Sequence, residues 1–191
     1  MATIRRISRP SLSGAPVALV LPGASYTVQA PLLYWPVLAL AEAGWDVWGV
    51  DWHSDIDLVP PGDMLAYIET AVQQAEDSLP ADPEIVIAKS LGTYALPHFA
   101  KRQVLAAWLT PILSDPVVAG ALSEVSSGQH LAVGGTADPL WRPDLLSETK
   151  ARLVSVESAN HRLEIAGAGW RESADAQRRI IDCVIDHLGL D

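Results

Sequence analysis

The sequence predicts an α/β protein: a three-layer α/β/α sandwich around a mainly parallel sheet of about six strands. The first observation is a set of six short apolar runs without polar alternation, at 16–21, 46–50, 84–88, 106–109, 131–134 and 152–156. Strands buried on both faces of a parallel sheet have this composition. The second observation is that segments with helical spacing separate the runs, and this alternation favours a parallel sheet covered by helices.

Three of the intervening segments carry clear helix signals. Pro31 can open a helix that runs to about Ala43, with Gly44 placed as its C′ residue. The second segment has apolar residues at helical spacing between 64 and 75, after a Pro-Pro-Gly break. The last has an apolar face from Ile180 to Leu188 and is closed by Gly189.

Length and composition predict one domain and exclude several classes of protein. The 191 residues suit a single domain, 1–191, and 49% hydrophobic residues favour a globular chain. We expect residues 1–14 to form an N-terminal extension. The net charge of −10 argues against a nucleic-acid partner. The single cysteine, Cys183, excludes an internal disulfide and is compatible with a cytoplasmic protein, which we expect.

The N-terminal region resembles a signal peptide only superficially. Three arginines, at positions 5, 6 and 9, precede an apolar run at 15–21. That run is too short, lies between Pro16 and Pro22, and is better explained as the first core strand. No stretch approaches the length of a membrane span, so we expect no membrane partner.

A candidate nucleophile follows the third apolar run, in the stretch "IVIAKSLGT" at 85–93. Ser90 comes directly after the run, with Ala88 two residues before it and Gly92 two residues after it. A serine on a sharp strand-to-helix turn needs small residues at both positions, because larger side chains would collide with neighbouring elements. The pattern alone is weak, since serine commonly caps helices. We expect Lys89 to be a flanking surface or ion-pair residue.

Two further residues follow other strands and could complete a catalytic set. Asp138 comes after the fifth run, where Gly134 and Gly135 suggest a flexible exit, and His161 follows the sixth. All three side chains should meet at the carboxyl edge of the sheet, where ligands bind. A serine hydroxyl needs a base, and a histidine oriented by a carboxylate can be that base. Asp115 is the alternative acid, although it is better explained as a helix N-cap before a proline.

The other strand ends suggest an anion-binding turn and a pocket wall. The small residues of "PGAS" at 22–25 allow backbone N–H groups to approach a ligand. Aromatic residues near the strand ends could line an apolar pocket, although core packing explains most tryptophans; the candidates are Tyr26, Trp52, His53 and Trp141.

These motifs together resemble the α/β-hydrolase superfamily, over about residues 16–188. The matching motifs are "LPGAS", "AKSLG", "GGTADPLW" and "NHRLE", and the order Ser, Asp, His is the order in that family. The resemblance implies that the backbone N–H groups of Ala24 and Leu91 form an oxyanion hole, with Ser25 as the alternative to Ala24.

The chain also departs from the family pattern. Ala88 replaces a glycine, Pro22 stands where many members have histidine, and Pro97 should kink or shorten the helix after the serine. The chain is short for the family, and we expect it to lack the early antiparallel strands. Only 114–129 separates the fourth and fifth strands, so the resemblance implies a minimal α/β-hydrolase fold without a large lid.

The implied function is a serine hydrolase that cleaves a small carboxylic ester or thioester through an acyl-enzyme on Ser90. We expect an uncharged acyl substrate of modest size, and no metal or organic cofactor. The alternative is a non-catalytic binding or regulatory protein on the same scaffold. Nucleotide binding is disfavoured, because the glycine-rich and P-loop patterns are missing. The sequence does not predict an oligomeric state.

Overall fold

The computed structural model describes residues 2–8, 10 and 14–190. Within these residues, seven strands form one sheet in the order β1-β3-β2-β4-β5-β6-β7. Strand β1 is antiparallel to β3, and every other neighbouring pair is parallel. The strands are β1 (Thr3–Arg6), β2 (Val17–Leu21), β3 (Asp46–Asp51), β4 (Ile85–Lys89), β5 (Leu105–Leu109), β6 (His130–Gly135) and β7 (Arg152–Val156). The parallel sheet and a strand at each of the six apolar runs are confirmed, although the edge strand β7 is mostly exposed and not buried on both faces.

Strand β1 lies in the region expected to be an N-terminal extension. It pairs with β3 in the register Ile4 to Val50. The Arg6 guanidinium donates two hydrogen bonds of 2.7 Å to the Asp46 carboxylate at the start of β3. The expectation that the chain lacks an early antiparallel strand is therefore wrong, because an ion pair and an edge pairing stabilise a run too short to show a strand pattern. Residues 1, 9 and 11–13 of the expected extension lie outside the described residues.

Helices cover both faces of the sheet, as the alternating pattern predicted. The helices are α1 (Pro31–Glu42), α2 (Met64–Ser78), α3 (Leu96–Phe99), α4 (Pro116–Ser123) and α5 (Trp170–His187). Helices α1 and α5 pack on one face, and α2, α3 and α4 pack on the other. Consecutive strand residues point to opposite faces, so Leu19 belongs to one core and Val20 to the other.

The helix ends follow the signals in the sequence. Gly44 follows α1 with a φ of +85°, a conformation that glycine adopts without a steric penalty. Asp115 caps α4, where its Oδ1 accepts a hydrogen bond of 2.8 Å from the Val117 N–H, and Pro116 occupies the first helical position. Pro97 lies in the first turn of α3, a helix of only four residues, so the expected shortening is confirmed.

The topology indicates that ligands bind at the edge of the sheet where the parallel strands have their carboxyl ends. The chain runs from β2 outward to β3 and then crosses back to β4 on the other side of β2. The carboxyl ends of β2 and β4 thus flank a topological switch point, where open α/β sheets bind ligands. Within the described part of the chain, no helix is long and apolar enough to cross a membrane.

Candidate active site

Ser90 occupies a strained turn directly after β4. Its φ is +50°, a region that residues other than glycine seldom occupy. It is also the first residue of a short 3₁₀ helix, Ser90–Ala95. A Cβ added at Gly92 would lie 2.3 Å from the Leu21 carbonyl oxygen, so only glycine fits there. The backbone therefore has the strained geometry that the small flanking residues predicted.

A continuous chain of hydrogen bonds joins Ser90, His161 and Asp138. The Ser90 Oγ lies 2.7 Å from His161 Nε2, and His161 Nδ1 lies 2.7 Å from Asp138 Oδ2. With Asp138 as a carboxylate, Nδ1 carries the proton that it donates to Oδ2, and Nε2 accepts from the Ser90 hydroxyl. The three residues follow β4, β6 and β7, and the fold brings them together at one edge of the sheet.

The aspartate of this chain is buried, whereas the histidine reaches the surface. The Asp138 side chain is 0% exposed and the His161 side chain is 32% exposed. The second carboxylate oxygen, Oδ1, accepts a hydrogen bond of 2.9 Å from the Leu140 N–H. Both oxygens of the buried carboxylate are therefore satisfied, and one of them orients the imidazole.

Asp115, the alternative acid, has other partners. Besides capping α4, its carboxylate accepts a hydrogen bond of 2.9 Å from the Tyr94 hydroxyl. Burial and this hydrogen bond raise the pKa of Tyr94 to about 12, so the phenol stays a donor at physiological pH. The geometry favours Asp138 over Asp115 as the partner of His161.

Close packing, rather than flexibility, explains the two glycines at the end of β6. A Cβ at Gly134 would lie 2.1 Å from the Trp141 ring, and one at Gly135 would lie 2.0 Å from the Ala159 carbonyl oxygen. The expected flexible exit is thus wrong. The missing side chains let Trp141 and the segment before His161 approach the strand.

The residues expected to supply the oxyanion N–H groups lie near Ser90. Ala24 and Ser25 line the same cavity as Ser90 and His161. The Gly92 N–H donates a hydrogen bond of 3.1 Å to the Pro22 carbonyl, which ties the turn after β2 to the turn after β4. Leu91 lies in the first turn of the 3₁₀ helix, where N–H groups have no partner within the helix.

Solved structures with the same architecture are known. Est1E from Butyrivibrio proteoclasticus, in a structure with bound ferulic acid, aligns with a TM-score of 0.64 at 13% identity, over 99% of this chain and 95% of Est1E. Dienelactone hydrolase from Anabaena variabilis aligns with a TM-score of 0.59 at 18% identity, over 93% and 95% of the two chains. The protein has the α/β-hydrolase fold.

A third similar structure bears on the lid. XC6422 from Xanthomonas campestris, an α/β serine hydrolase without a lid, aligns with a TM-score of 0.57 at 16% identity, over 98% of this chain and 88% of that one. Between β5 and β6 this chain has only the eight-residue helix α4, which confirms the minimal α/β-hydrolase fold without a large lid. No protein-family model and no curated protein sequence matches the chain.

In this α/β-hydrolase fold, the cavity at Ser90 has a wall that combines charged, polar and aromatic side chains. Its volume is about 510 Å³, and its wall includes Tyr26, Lys89, Arg162, Glu164 and Gln177. The Tyr26 hydroxyl accepts a hydrogen bond of 2.9 Å from the Leu32 N–H, which fixes the ring against the start of α1. Within the described ranges, no group of three His, Cys, Asp or Glu side chains could hold a metal ion.

Three of the four residues expected in the pocket wall lie elsewhere. Trp52 is fully buried, and its indole N–H donates a hydrogen bond of 3.2 Å to the Gly23 carbonyl. Trp141 is also buried, and its N–H donates to the Ser155 Oγ at 3.0 Å. His53 contacts Asp51 at 3.1 Å and lines a separate cavity near α1. Of the expected aromatic wall only Tyr26 lines the cavity, because the two indoles pack into the core beneath the site.

Lys89 is the residue whose place in the site the sequence did not indicate. It is 2% exposed, and its Nζ donates hydrogen bonds to the Thr110 Oγ1 at 2.9 Å and the His161 carbonyl at 3.2 Å. Burial lowers the pKa of Lys89 to about 8, with Arg162 acting in the same direction and Asp138 opposing it. The expectation of a surface or ion-pair residue is wrong. Its strand position could have revealed this, since Ile85, Ile87 and Lys89 share a buried face.

Proposed function

We propose that the protein is a serine hydrolase that cleaves a small carboxylic ester or thioester through an acyl-enzyme on Ser90. The observation that carries this proposal is the chain of two 2.7 Å hydrogen bonds from Ser90 through His161 to Asp138. Its position at the topological switch point, on a strained turn, supports the same function. The similar structures, which include a dienelactone hydrolase and an α/β serine hydrolase without a lid, favour chemistry at an acyl carbonyl.

The first half of the reaction forms the acyl-enzyme. The Ser90 Oγ attacks the substrate carbonyl carbon while His161 Nε2 takes the hydroxyl proton. Asp138 stabilises the imidazolium that results, since its carboxylate already accepts a hydrogen bond from the Nδ1–H group. The carbonyl oxygen becomes an oxyanion, which we place at the N–H groups of Ala24 and Leu91. Collapse of the tetrahedral intermediate breaks the bond to the alcohol or thiol, and His161 returns the proton to that leaving group.

The second half releases the acid. A water molecule loses a proton to His161 Nε2 and attacks the acyl carbon, and the second intermediate expels Ser90, which recovers its proton from His161. The exposed fraction of the histidine gives water access to this step. Both halves transfer only acyl groups and protons, so neither step needs an electron donor or acceptor.

The substrate we propose is a compact acyl compound with polar character. The cavity of about 510 Å³ suits a small ligand. Its wall carries Arg162, Glu164 and Gln177 beside Tyr26, so it offers hydrogen-bonding groups as well as an aromatic face. This departs from the wholly apolar, aromatic wall expected from the tryptophans.

The test is the substitution Ser90→Ala, with Ser147→Ala, an exposed serine near the end of a loop, as the matched control. We expect Ser90→Ala to lower kcat on short p-nitrophenyl esters by at least about 10³-fold, and Ser147→Ala to leave it unchanged. A fluorophosphonate should label the wild-type protein at Ser90 only. Esterase activity that survives Ser90→Ala, or folded wild type that stays unlabelled, would contradict the proposal and support the non-catalytic binding protein.

A further inference from the structure

A charged side chain is buried directly beside the candidate nucleophile. Lys89 is the last residue of β4, and its side chain lies on the face of the sheet that α1 and α5 cover. Removing an ammonium group from water is costly unless hydrogen bonds replace the lost water. Lys89 is 2% exposed, so its partners must offset that cost.

The partners of Lys89 come from three different strand-end segments. Thr110, after β5, accepts a hydrogen bond of 2.9 Å, and the His161 carbonyl, after β7, accepts one of 3.2 Å. The ring of Tyr26, after β2, lies with its centroid 4.7 Å from Nζ, a favourable cation–π distance. One ammonium group therefore links β4 to the three segments that surround the site.

The Thr110 end of this link is buried and hydrogen-bonded to the sheet. Thr110 is fully buried, and its N–H donates a hydrogen bond of 2.6 Å to the Val133 carbonyl of β6. The His161 end belongs to a loop, 157–169, in which two residues other than glycine adopt the left-handed region: Ser158 at a φ of +56° and Leu163 at +59°. Lys89 thus connects a loop with strained backbone to the centre of the sheet.

We propose that Lys89 is a positioning residue, which holds the His161 backbone so that the imidazole stays within hydrogen-bond distance of the Ser90 Oγ. The kinetic consequence rests on the proposed function, whereas the structural one does not. Asp138 fixes the imidazole from one side of the ring, and Lys89 fixes the main chain from which the ring projects. A displacement of about 1 Å at a reacting group can cost about 100-fold in rate, so this anchor affects turnover although Lys89 need not touch the substrate.

The kinetic test is Lys89→Met, which keeps the length of the side chain and removes the ammonium group. We expect kcat to fall by about 10- to 100-fold while KM stays within about twofold. The free energy of unfolding should change little, because the gain from no longer burying an ammonium group opposes the loss of its two hydrogen bonds. The matched control is Lys101→Met, since Lys101 is exposed and pairs with Glu124 far from the site, and it should leave kcat unchanged.

A second variant and a measurement without substrate distinguish a loss of positioning from a loss of folding. Thr110→Val keeps the shape of the side chain and removes the other acceptor of Lys89, so we expect a smaller fall in kcat in the same direction. The proton between His161 Nδ1 and Asp138 should give a low-field proton NMR signal in the wild type. We expect that signal to shift or broaden in Lys89→Met, in protein whose circular dichroism is unchanged.

These measurements distinguish a failure of the positioning role from a failure of the proposed function. A kcat within about twofold of wild type together with an unchanged low-field signal overturns the positioning role. A raised KM with an unchanged kcat also overturns it, because Lys89 would then bind substrate. If Ser90→Ala retains full activity, the proposed function fails, but the low-field signal still tests whether Lys89 positions His161.

Discussion

At the scale of single residues, the turn at Ser90 shows how local strain and close packing belong together. Ser90 accepts a φ of +50° because its neighbours hold it there, and Gly92 allows the turn to lie against β2. The Gly92 N–H donates a hydrogen bond to the Pro22 carbonyl on that side, so the turn at Ser90 rests on the loop that carries Ala24, one of the two proposed oxyanion donors.

We expect Gly92→Ala to lower both activity and stability. The new Cβ would lie 2.3 Å from the Leu21 carbonyl oxygen, so the turn must move away from β2. Overpacking of this kind costs about 1–3 kcal/mol of unfolding free energy, which urea denaturation measures. Gly128→Ala is the control, because nothing lies within 4 Å of its Cβ position. A Gly92→Ala protein with wild-type kcat and stability would contradict the close approach.

At the scale of secondary-structure elements, β1 shows what sequence patterns do not reveal. Its four residues are mostly exposed, so the sequence lacks the apolar pattern that would predict a strand there. Its stability comes from a partner, β3, and from the pairing of Arg6 with Asp46, whose side chain is only 3% exposed. Neither feature can be inferred from residues 3–6 alone.

We expect Arg6→Ala to destabilise the protein more than Arg5→Ala. The first substitution leaves the nearly buried Asp46 carboxylate without its bidentate partner, at a cost of about 1–3 kcal/mol. The second removes a pair with Asp51 in which the side chains are 68% and 39% exposed, and such pairs contribute about 0–1 kcal/mol. Thermal and urea unfolding of both variants measure the difference, and equal losses would show that the Arg6 pair does not stabilise β1.

At the scale of the whole molecule, buried histidines link stability to pH. His130 is 1% exposed at the start of β6, and its Nδ1 accepts a hydrogen bond of 3.1 Å from the Trp108 indole N–H. Burial lowers the pKa of His130 to about 4, and the nearby His187 acts in the same direction. Burial lowers the pKa of His187 as well. Both imidazoles are therefore neutral in the folded protein at neutral pH.

We expect acid to destabilise the fold through His130. Between pH 6.5 and 4 the unfolded chain binds a proton at this position that the folded protein does not, so the free energy of unfolding falls as the pH drops through this window. The contribution of His130 should be about 2 kcal/mol smaller at pH 5 than at pH 7.5. Urea denaturation at both pH values checks this, with His130→Gln as the comparison. An equal pH dependence in the variant would exclude His130 as the cause.

The core strands and most helix ends could be predicted because each depends on residues close together in the chain. The six apolar runs needed only their own composition, and Gly44 and the Asp115-Pro116 pair needed only their neighbours. The candidate site could be predicted in outline for a related reason. Parallel strands place their carboxyl ends at one edge, so Ser90, Asp138 and His161 had to emerge near one another.

The remaining features depended on which surfaces meet in three dimensions. Trp52 and Trp141 follow strand ends, as pocket residues do, but packing buries both indoles beneath the site. Gly134 and Gly135 make room for neighbours whose positions no local pattern contains. Lysine is usually a surface residue, so its type does not predict burial. Lys89 is buried because three other segments supply partners for its ammonium group.

The sequence by itself determined the α/β architecture. It also determined which loops follow the parallel strands, and which serine, histidine and aspartate those loops carry. Only the tertiary structure decided the 2.7 Å contacts among those three, the polar wall of the cavity and the ammonium that anchors the histidine loop. The physical reason is that hydrophobic periodicity and turn chemistry are local. A contact between residues 71 positions apart in the chain depends instead on how the whole sheet brings its ends together.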